Sequence, residues 1–270
     1  MPHLIELDAS GHFLRNVLPY FSLEVVPLDL KIDRQNNIWV TSPSLDKVTE
    51  VSSEGHVLRV LGGKQQGPPT SEYSLFREVD DVAFDIQGDI YIGYLDGHVS
   101  KLGHEGNLLR SWGGRGDLPG QFKGPAHCID LDAAGNVYVV DIGNRRIQKF
   151  NGDGQFLKQF TIDVPAPPSA RLSNGEVPSG PGFKPPWPVV TLCITPEPEQ
   201  FLYVADAFPG RIYKMNLEGR ILGMFGVAGK KPGELRVINK ILCPSENELY
   251  VTGLRAGSLS MQKLELRPTN

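Results

Sequence analysis

One element recurs five times along this chain and constrains its fold more than any other feature: an acidic residue, a short polar turn, and a strand in which an aromatic is usually flanked by aliphatics. The copies are Asp33–Thr41, Asp85–Gly93, Asp132–Asp141, the looser Glu199–Asp206, and Glu246–Gly253. A short apolar strand precedes each copy (Leu30–Ile32, Val82–Phe84, Ile129–Leu131, Leu192–Ile194 and Ile241–Cys243). A strand of alternating character follows each (Lys47–Val51, His98–Leu102, Arg146–Phe150, Arg211–Met215 and Met261–Glu265), as expected of a half-buried antiparallel strand. Four copies then turn into a final strand: His56–Gly62, Asn107–Gly113, Gln155–Phe160 and Arg220–Gly226. The glycine in these turns supplies the positive φ that a tight hairpin needs.

Four antiparallel strands per repeat describe a propeller blade. An isolated blade cannot bury its own faces, so the repeats are expected to stack into one domain over residues 1–270. Repeats are read over about 27–62, 78–113, 126–160, 189–226 and 238–266, with a partial blade over 3–17 and a Pro-rich insertion over 164–188. Composition agrees with this all-β reading: 30 Gly and 22 Pro without collagen-like spacing suit short strands joined by tight turns. At 40% hydrophobic the chain can bury a core, and a net charge of −4 argues against a protein that binds nucleic acid by neutralising phosphates. There is no window of apolar residues long enough to span a membrane. Met1–Asp8 lacks the basic segment and apolar run of a signal peptide, so the chain reads as soluble. Cys128, Cys193 and Cys243 are odd in number and widely spaced; they read as buried thiols rather than as a disulfide framework or zinc knuckle.

The phrases Gly113-Gly-Arg-Gly-Asp-Leu-Pro-Gly-Gln-Phe122 and Asp132-Ala-Ala-Gly-Asn-Val-Tyr-Val-Val-Asp-Ile-Gly-Asn-Arg-Arg-Ile-Gln-Lys-Phe150 resemble NHL repeats. More narrowly, they resemble the branch that contains the peptidyl-hydroxyglycine amidating lyases. That resemblance implies six blades, whereas the chain accounts for five repeats and a leftover. Leu4–Val17 looks like the outer two strands of a blade, and the last repeat stops after its third strand. Two expectations follow. Either Met1 is an internal methionine of a longer six-bladed ancestor, in which case an export signal could precede it, or residues 12–17 close a ring of five by completing the last blade. The start of the match almost at Met1 favours the first.

The resemblance also implies a zinc held by three histidines, each opening the innermost strand of a different blade, with an open fourth position. The corresponding places here are Leu28, Asp80, His127, Val190 and Asn239; only His127 matches a family histidine, and Leu28 and Asn239 stand in the other two places. Leucine cannot bind a metal and the neutral amide of asparagine is a weak zinc ligand. Lys240 takes the place of an acidic residue implied at a structural calcium. The family's tyrosine falls near Tyr94.

Strand starts converge on a propeller's axis, so two rings of side chains are expected around a funnel. The first is Leu28, Asp80, His127, Val190 and Asn239; the second is Asp29, Asp81, Cys128, Thr191 and Lys240. Within it Asp80, Asp81 and His127 could bind a divalent metal or act as a general-base cluster. Alternatively, the carboxylates satisfy backbone amides or pair with Lys240 across the channel. The other histidines sit on outer strands or turns. The insertion could carry Trp187 as a lid over one mouth, or be a connector; Gly113–Gly124 lacks the ending of a phosphate loop. The leading expectation is a non-catalytic propeller that binds a protein, peptide or small molecule, with no cofactor. The alternative is a metal-dependent lyase or hydrolase with a rearranged site, using zinc or calcium.

Overall fold

The computed structural model describes residues 4–18, 28–63, 78–168, 170, 189–229, 231, 233–235, 237–255 and 258–267. Their 21 strands fall into successive antiparallel sheets. A two-stranded sheet pairs β1 (Leu4–Leu7) with β2 (Phe13–Leu18). Blade 1 comprises β3 (Asp29–Ile32), β4 (Ile38–Ser42), β5 (Lys47–Val51) and β6 (Val57–Gly62). Blade 2 comprises β7 (Val79–Phe84), β8 (Ile90–Tyr94), β9 (His98–Leu102) and β10 (Leu108–Gly113). Blade 3 holds β11 (Ala126–Leu131), β12 (Val137–Asp141), β13 (Arg146–Phe150) and β14 (Phe156–Thr161). Blade 4 holds β15 (Val189–Ile194), β16 (Leu202–Asp206), β17 (Ile212–Met215) and β18 (Ile221–Phe225). Blade 5 has three strands, β19 (Val237–Ser245), β20 (Glu248–Arg255) and β21 (Ser258–Glu265). The described residues thus form five blades and a two-stranded sheet, where the resemblance implies six blades. Residues 12–17 do not complete blade 5, because β2 pairs with β1 and β21 pairs with β20.

The repeated aspartate and aromatic work together. In blades 1 to 3 one oxygen of Asp33, Asp85 or Asp132 accepts the N–H of the residue four positions on, Asn37, Asp89 or Asn136, at 2.8–2.9 Å, closing the turn between the first two strands. The other oxygen accepts from the aromatic six positions on: Trp39 Nε1–H at 2.8 Å, Tyr91 O–H at 3.2 Å and Tyr138 O–H at 3.0 Å. A cation from the third or fourth strand then covers the ring, Arg59 on Trp39, Lys101 on Tyr91 and Lys149 on Tyr138. In blade 4 Thr195 substitutes for the aspartate, its Oγ1 accepting the N–H of Phe201 at 2.8 Å.

Apolar side chains lie between the sheets. Val48, Val82 and Ile90 share the cluster between blades 1 and 2, and Ala83, Ile129 and Phe150 that between blades 2 and 3. Cys128, Leu192 and Tyr213 pack between blades 3 and 4, and Tyr203, Ile241 and Leu249 between blades 4 and 5. Leu4 packs with Val40 and Val51 between β1–β2 and blade 1. The outer hairpin glycines set how closely neighbours approach: a Cβ on Gly106, Gly154 or Gly219 would strike Leu61, Trp112 or Phe160 of the preceding blade. A Cβ on Gly55 of blade 1 would likewise strike β2, at the backbone carbonyl of Val17 rather than at a side chain. The connector over 113–124 is tied down by Arg146, whose guanidinium donates to the carbonyls of Asp117, Leu118 and Gln121 and to Asp141. Most of the Pro-rich insertion, including Trp187, lies outside the described residues, as do residues 64–77.

The reading of all three cysteines as thiols is corrected. Cys193 and Cys243 form a disulfide, with their Cα atoms 6.0 Å apart, and Cys128 is the free buried cysteine. Cys193 points from β15 towards blade 5 and Cys243 from β19 towards blade 4, both within one cluster. Wide spacing along the chain is no barrier where successive repeats are stacked. Closing 50 residues in the unfolded chain corresponds to about 4 kcal/mol by the loop-entropy relation. Thiol titration in denaturant is expected to count one reactive cysteine before reduction and three after it; three before reduction would remove the bridge.

Candidate functional site in the central funnel

The inner strands deliver side chains to the axis through a local irregularity. In blades 2 to 5 the register between first and second strands slips at the start of the strand: between Val79 and Asp81, His127 and Ile129, Val189 and Thr191, and Ile238 and Lys240. Each slip is a bulge that re-aims the residues beside it. In blade 3 the skipped residue, Cys128, has a φ of 44°, a left-handed backbone uncommon for a non-glycine residue. The result is a small solvent-open pocket of about 30 Å³ lined by Leu28, Asp29, Asp80, Asp81, His127, Cys128, Asn239 and Lys240. That volume has room for a water or two or for the polar tip of a guest that stands mostly outside it.

All the expected funnel residues except Val190 and Thr191 line this cavity. Tyr94 does not. It is buried with Val79, Val82 and Trp39 between blades 1 and 2, and burial pushes its phenol further towards the neutral form. Strand alternation turns it away from the axis.

The second ring stitches the blades. Asp81 of blade 2 accepts the N–H of Ile129 in blade 3 at 2.9 Å. Cys128 Sγ receives the N–H of Leu192 in blade 4 at 3.4 Å, and Thr191 Oγ1 receives that of Ile241 in blade 5 at 3.3 Å. Asp, Cys and Thr thus share one task at equivalent places, that of accepting a backbone donor which would otherwise be buried unpaired. For Asp81 this is the second of the two expectations, a carboxylate that satisfies a backbone amide and pairs with Lys240; that Cys128 and Thr191 take the same task was not anticipated, although an acceptor stands at the same position in three successive repeats.

Lys240 closes the ring from the other side. Its ammonium donates to Asp81 Oδ2 at 2.8 Å and to Asp29 Oδ2. Nearby, Lys31 lies 3.8 Å from Asp130. Burial, followed by the charge of neighbouring Asp81, raises the carboxyl of Asp29 to about 7. Burial also opposes ionisation of Asp81, but the ammoniums of Lys240 and Lys31 outweigh it and hold this carboxyl well below the usual range. The ammonium of Lys240 is held in its charged form against burial by Asp81 and the other anionic partners. Burial pushes the Cys128 thiol up to about 11, leaving it protonated and unreactive at neutral pH.

The first ring is arranged differently. Asp80, 1% exposed, bonds Nδ1 of His127 across the boundary between blades 2 and 3. Burial opposes protonation of this imidazole, yet the hydrogen bond and charge of Asp80 outweigh it and raise its pKa. The His127 side chain is 28% exposed, and Nε2 has no hydrogen bond to any described residue. Asp80 also faces no other described cation, so the three expected members of a metal or base cluster separate into two groups: Asp80 with His127, and Asp81 with Lys240.

The two carboxylates around Lys240 give opposite expectations. Asp29 binds its proton in the folded chain above its ordinary value of 3.8 and up to about 7. Its contribution is therefore complete below 3.8 and lost as pH rises through about 7. Asp29→Asn should match the wild type in urea unfolding only below the carboxyl's ordinary value of 3.8, gain on it as pH rises towards about 7, and keep that full gain at more alkaline pH. Asp81→Asn should lose roughly 3–5 kcal/mol at neutral pH, the cost of leaving a buried ammonium short of its partner. Equal effects of the two substitutions at every pH would contradict this division.

No family model matches the chain. Over 148 residues, 52% of its length, it is 34% identical to peptidyl-glycine alpha-amidating monooxygenase B of Xenopus laevis. Over 132 residues, 46% of its length, it is 32% identical to human NHL repeat-containing protein 3. These matches span 17% and 38% of the two relatives, well under two thirds of either. Among solved structures, a streptogramin B lyase superposes on 97% of the chain and 76% of its own, with a TM-score of 0.59 at 17% identity, a likeness of fold alone.

Proposed function

We propose that this β-propeller, whose sequence is similar to NHL-repeat proteins and to the amidating monooxygenases, is a binding propeller that works without the zinc chemistry its resemblance to the amidating-lyase branch implies. The observation that carries this reading is the division of the funnel. Asp81, Cys128, Thr191 and Lys240 are engaged in holding blades together, which leaves the Asp80–His127 pair, with Asn239, as the polar groups facing the cavity. A buried carboxylate that fixes one imidazole nitrogen orients the other towards a hydrogen-bonding guest. The guest is a polar group small enough for about 30 Å³, carried by a protein, peptide or small molecule.

The donor set does not fit the zinc that the resemblance implies. Of its three places one holds the imidazole of His127, which with Nε2 could supply a single ligand. The second, Leu28, offers only hydrocarbon, and the third, Asn239, a neutral amide. The alternative, a metal-dependent lyase or hydrolase, draws its support from the sequence similarity to the amidating enzymes.

We also read β1–β2 as the outer half of a sixth blade. Val17 meets Gly55 as Leu61, Trp112 and Phe160 meet Gly106, Gly154 and Gly219, each an outer strand packed against the next hairpin. The Cys193–Cys243 bridge supports an oxidising, exported setting. Among the described residues no helix is long and apolar enough to cross a membrane.

Incubation with a peptidyl-α-hydroxyglycine and added zinc tests the catalytic alternative directly. No turnover above the protein-free rate is expected. Turnover that is lost in His127→Ala, with the fold intact by circular dichroism, would overturn the binding reading.

A further inference from the structure

Among the described residues, each carboxylate around the funnel except one has an ammonium beside it. Asp29 and Asp81 share Lys240, and Asp130 faces Lys31. Asp80, 1% exposed, has only His127. Its Oδ2 bonds Nδ1 of that imidazole, and no described residue donates to its Oδ1. Because Nδ1 holds its hydrogen towards a carboxylate, Nε2 of the neutral ring presents a lone pair. The Asn239 side chain, which also lines the pocket, makes no hydrogen bond to a described residue. Three unused acceptors, Asp80 Oδ1, His127 Nε2 and Asn239 Oδ1, thus belong to residues lining a space of about 30 Å³.

We propose that this pocket binds a primary ammonium on an unbranched methylene stem, the head of a lysine side chain or of a small alkylamine. The proposal rests on the reading of the funnel as a guest-binding site. An ammonium is close to water in size and has three N–H donors and no acceptor, which matches three acceptors in a water-sized space. Its charge also answers the one carboxylate that lacks a cation, and a buried charge gains most from a partner where it has none. Water brings only two donors and no charge. A carboxylate guest would set its oxygens against those of Asp80, and a guanidinium is a wide planar fork suited to a bidentate site. Leu28 offers hydrocarbon at the lining for the stem to lie against. A proton competes with the ammonium for Nε2. The groups that face this imidazole are Asp80 and Asp81 of β7, Cys128 beside it, Asn239 and Lys240 of β19, and Asp29 of β3. Burial opposes its protonation and Asp80 outweighs burial, so the proton is held above the ordinary 6.5. The ammonium is therefore bound more tightly as pH rises from about 6 to about 8.

The full chain can be titrated with butylamine, acetyl-lysine methylamide, guanidinium, tetramethylammonium and acetate, with the His127 imidazole followed by NMR and affinity by calorimetry. The expected result is saturable one-to-one binding of the first two, roughly millimolar for ligands of so few atoms, and none of the other three. Tighter binding of the lysine amide would assign the head to a peptide, and tighter binding of butylamine to a free amine. Asp80→Asn should weaken binding roughly tenfold or more, and Asn239→Asp should tighten it roughly three- to tenfold by adding a charged acceptor. Should Asp80→Asn lower the melting temperature, Asn239→Asp still decides, because lost structure does not produce a gain in affinity. No response to either amine would overturn the proposal, as would binding that is the same in both variants and the wild type. Acetate bound in place of the amines would overturn the ammonium while leaving the funnel as a guest site. No response to any probe, together with zinc that is bound by the wild type and lost in His127→Ala, would overturn the guest-binding reading as well.

Discussion

A four-stranded sheet with apolar side chains on both faces is not stable by itself in water; it must be covered on each side. Everything else in this chain depends on that constraint. Blades 2, 3 and 4 have a neighbour on each side, and their interfaces bury aliphatics such as Val82, Ile129 and Leu192 completely. The same constraint explains the tyrosines, which anchor one blade and reach the next: Tyr138 lies between Asp132 of its own turn and the Leu217 carbonyl of blade 4. Where the stack ends, at β3 and β19, identical positions are open to solvent.

Covering the faces creates a second problem at the axis, where bulges free backbone N–H groups in a place with little water. The chain answers with acceptors at one repeated position, and a carboxylate, a thiol and a hydroxyl serve in turn. This arrangement divides a polar funnel into a structural ring and a pair with a free imidazole nitrogen. Charge alone does not reveal that division. Asp80 and Asp81 are adjacent in sequence and both buried, yet one holds His127 and the other holds Lys240 and a backbone amide.

Much of this was legible in the repeat. The recurring acidic residue, turn and aromatic-bearing strand implied four antiparallel strands per repeat, and the convergence of strand starts grouped Asp29, Asp80, Asp81, His127, Cys128, Asn239 and Lys240 around a funnel, where they line one cavity. What escaped has physical causes. The Cys193–Cys243 bridge joins positions that face each other only across a blade boundary, so their 50-residue separation is uninformative. Tyr94 ends a strand near the axis, but a period of two turns it into the core. The pairing of Asp81 with Lys240 was one of two readings that the residues allowed, and geometry across the channel separates them.

The central claim is that His127 is held by Asp80 to meet a guest rather than to bind a metal. Metal analysis by mass spectrometry of the purified chain and of His127→Ala tests it most directly. The account predicts no metal whose occupancy depends on His127. Near-stoichiometric zinc in the wild type that disappears from the variant would contradict it.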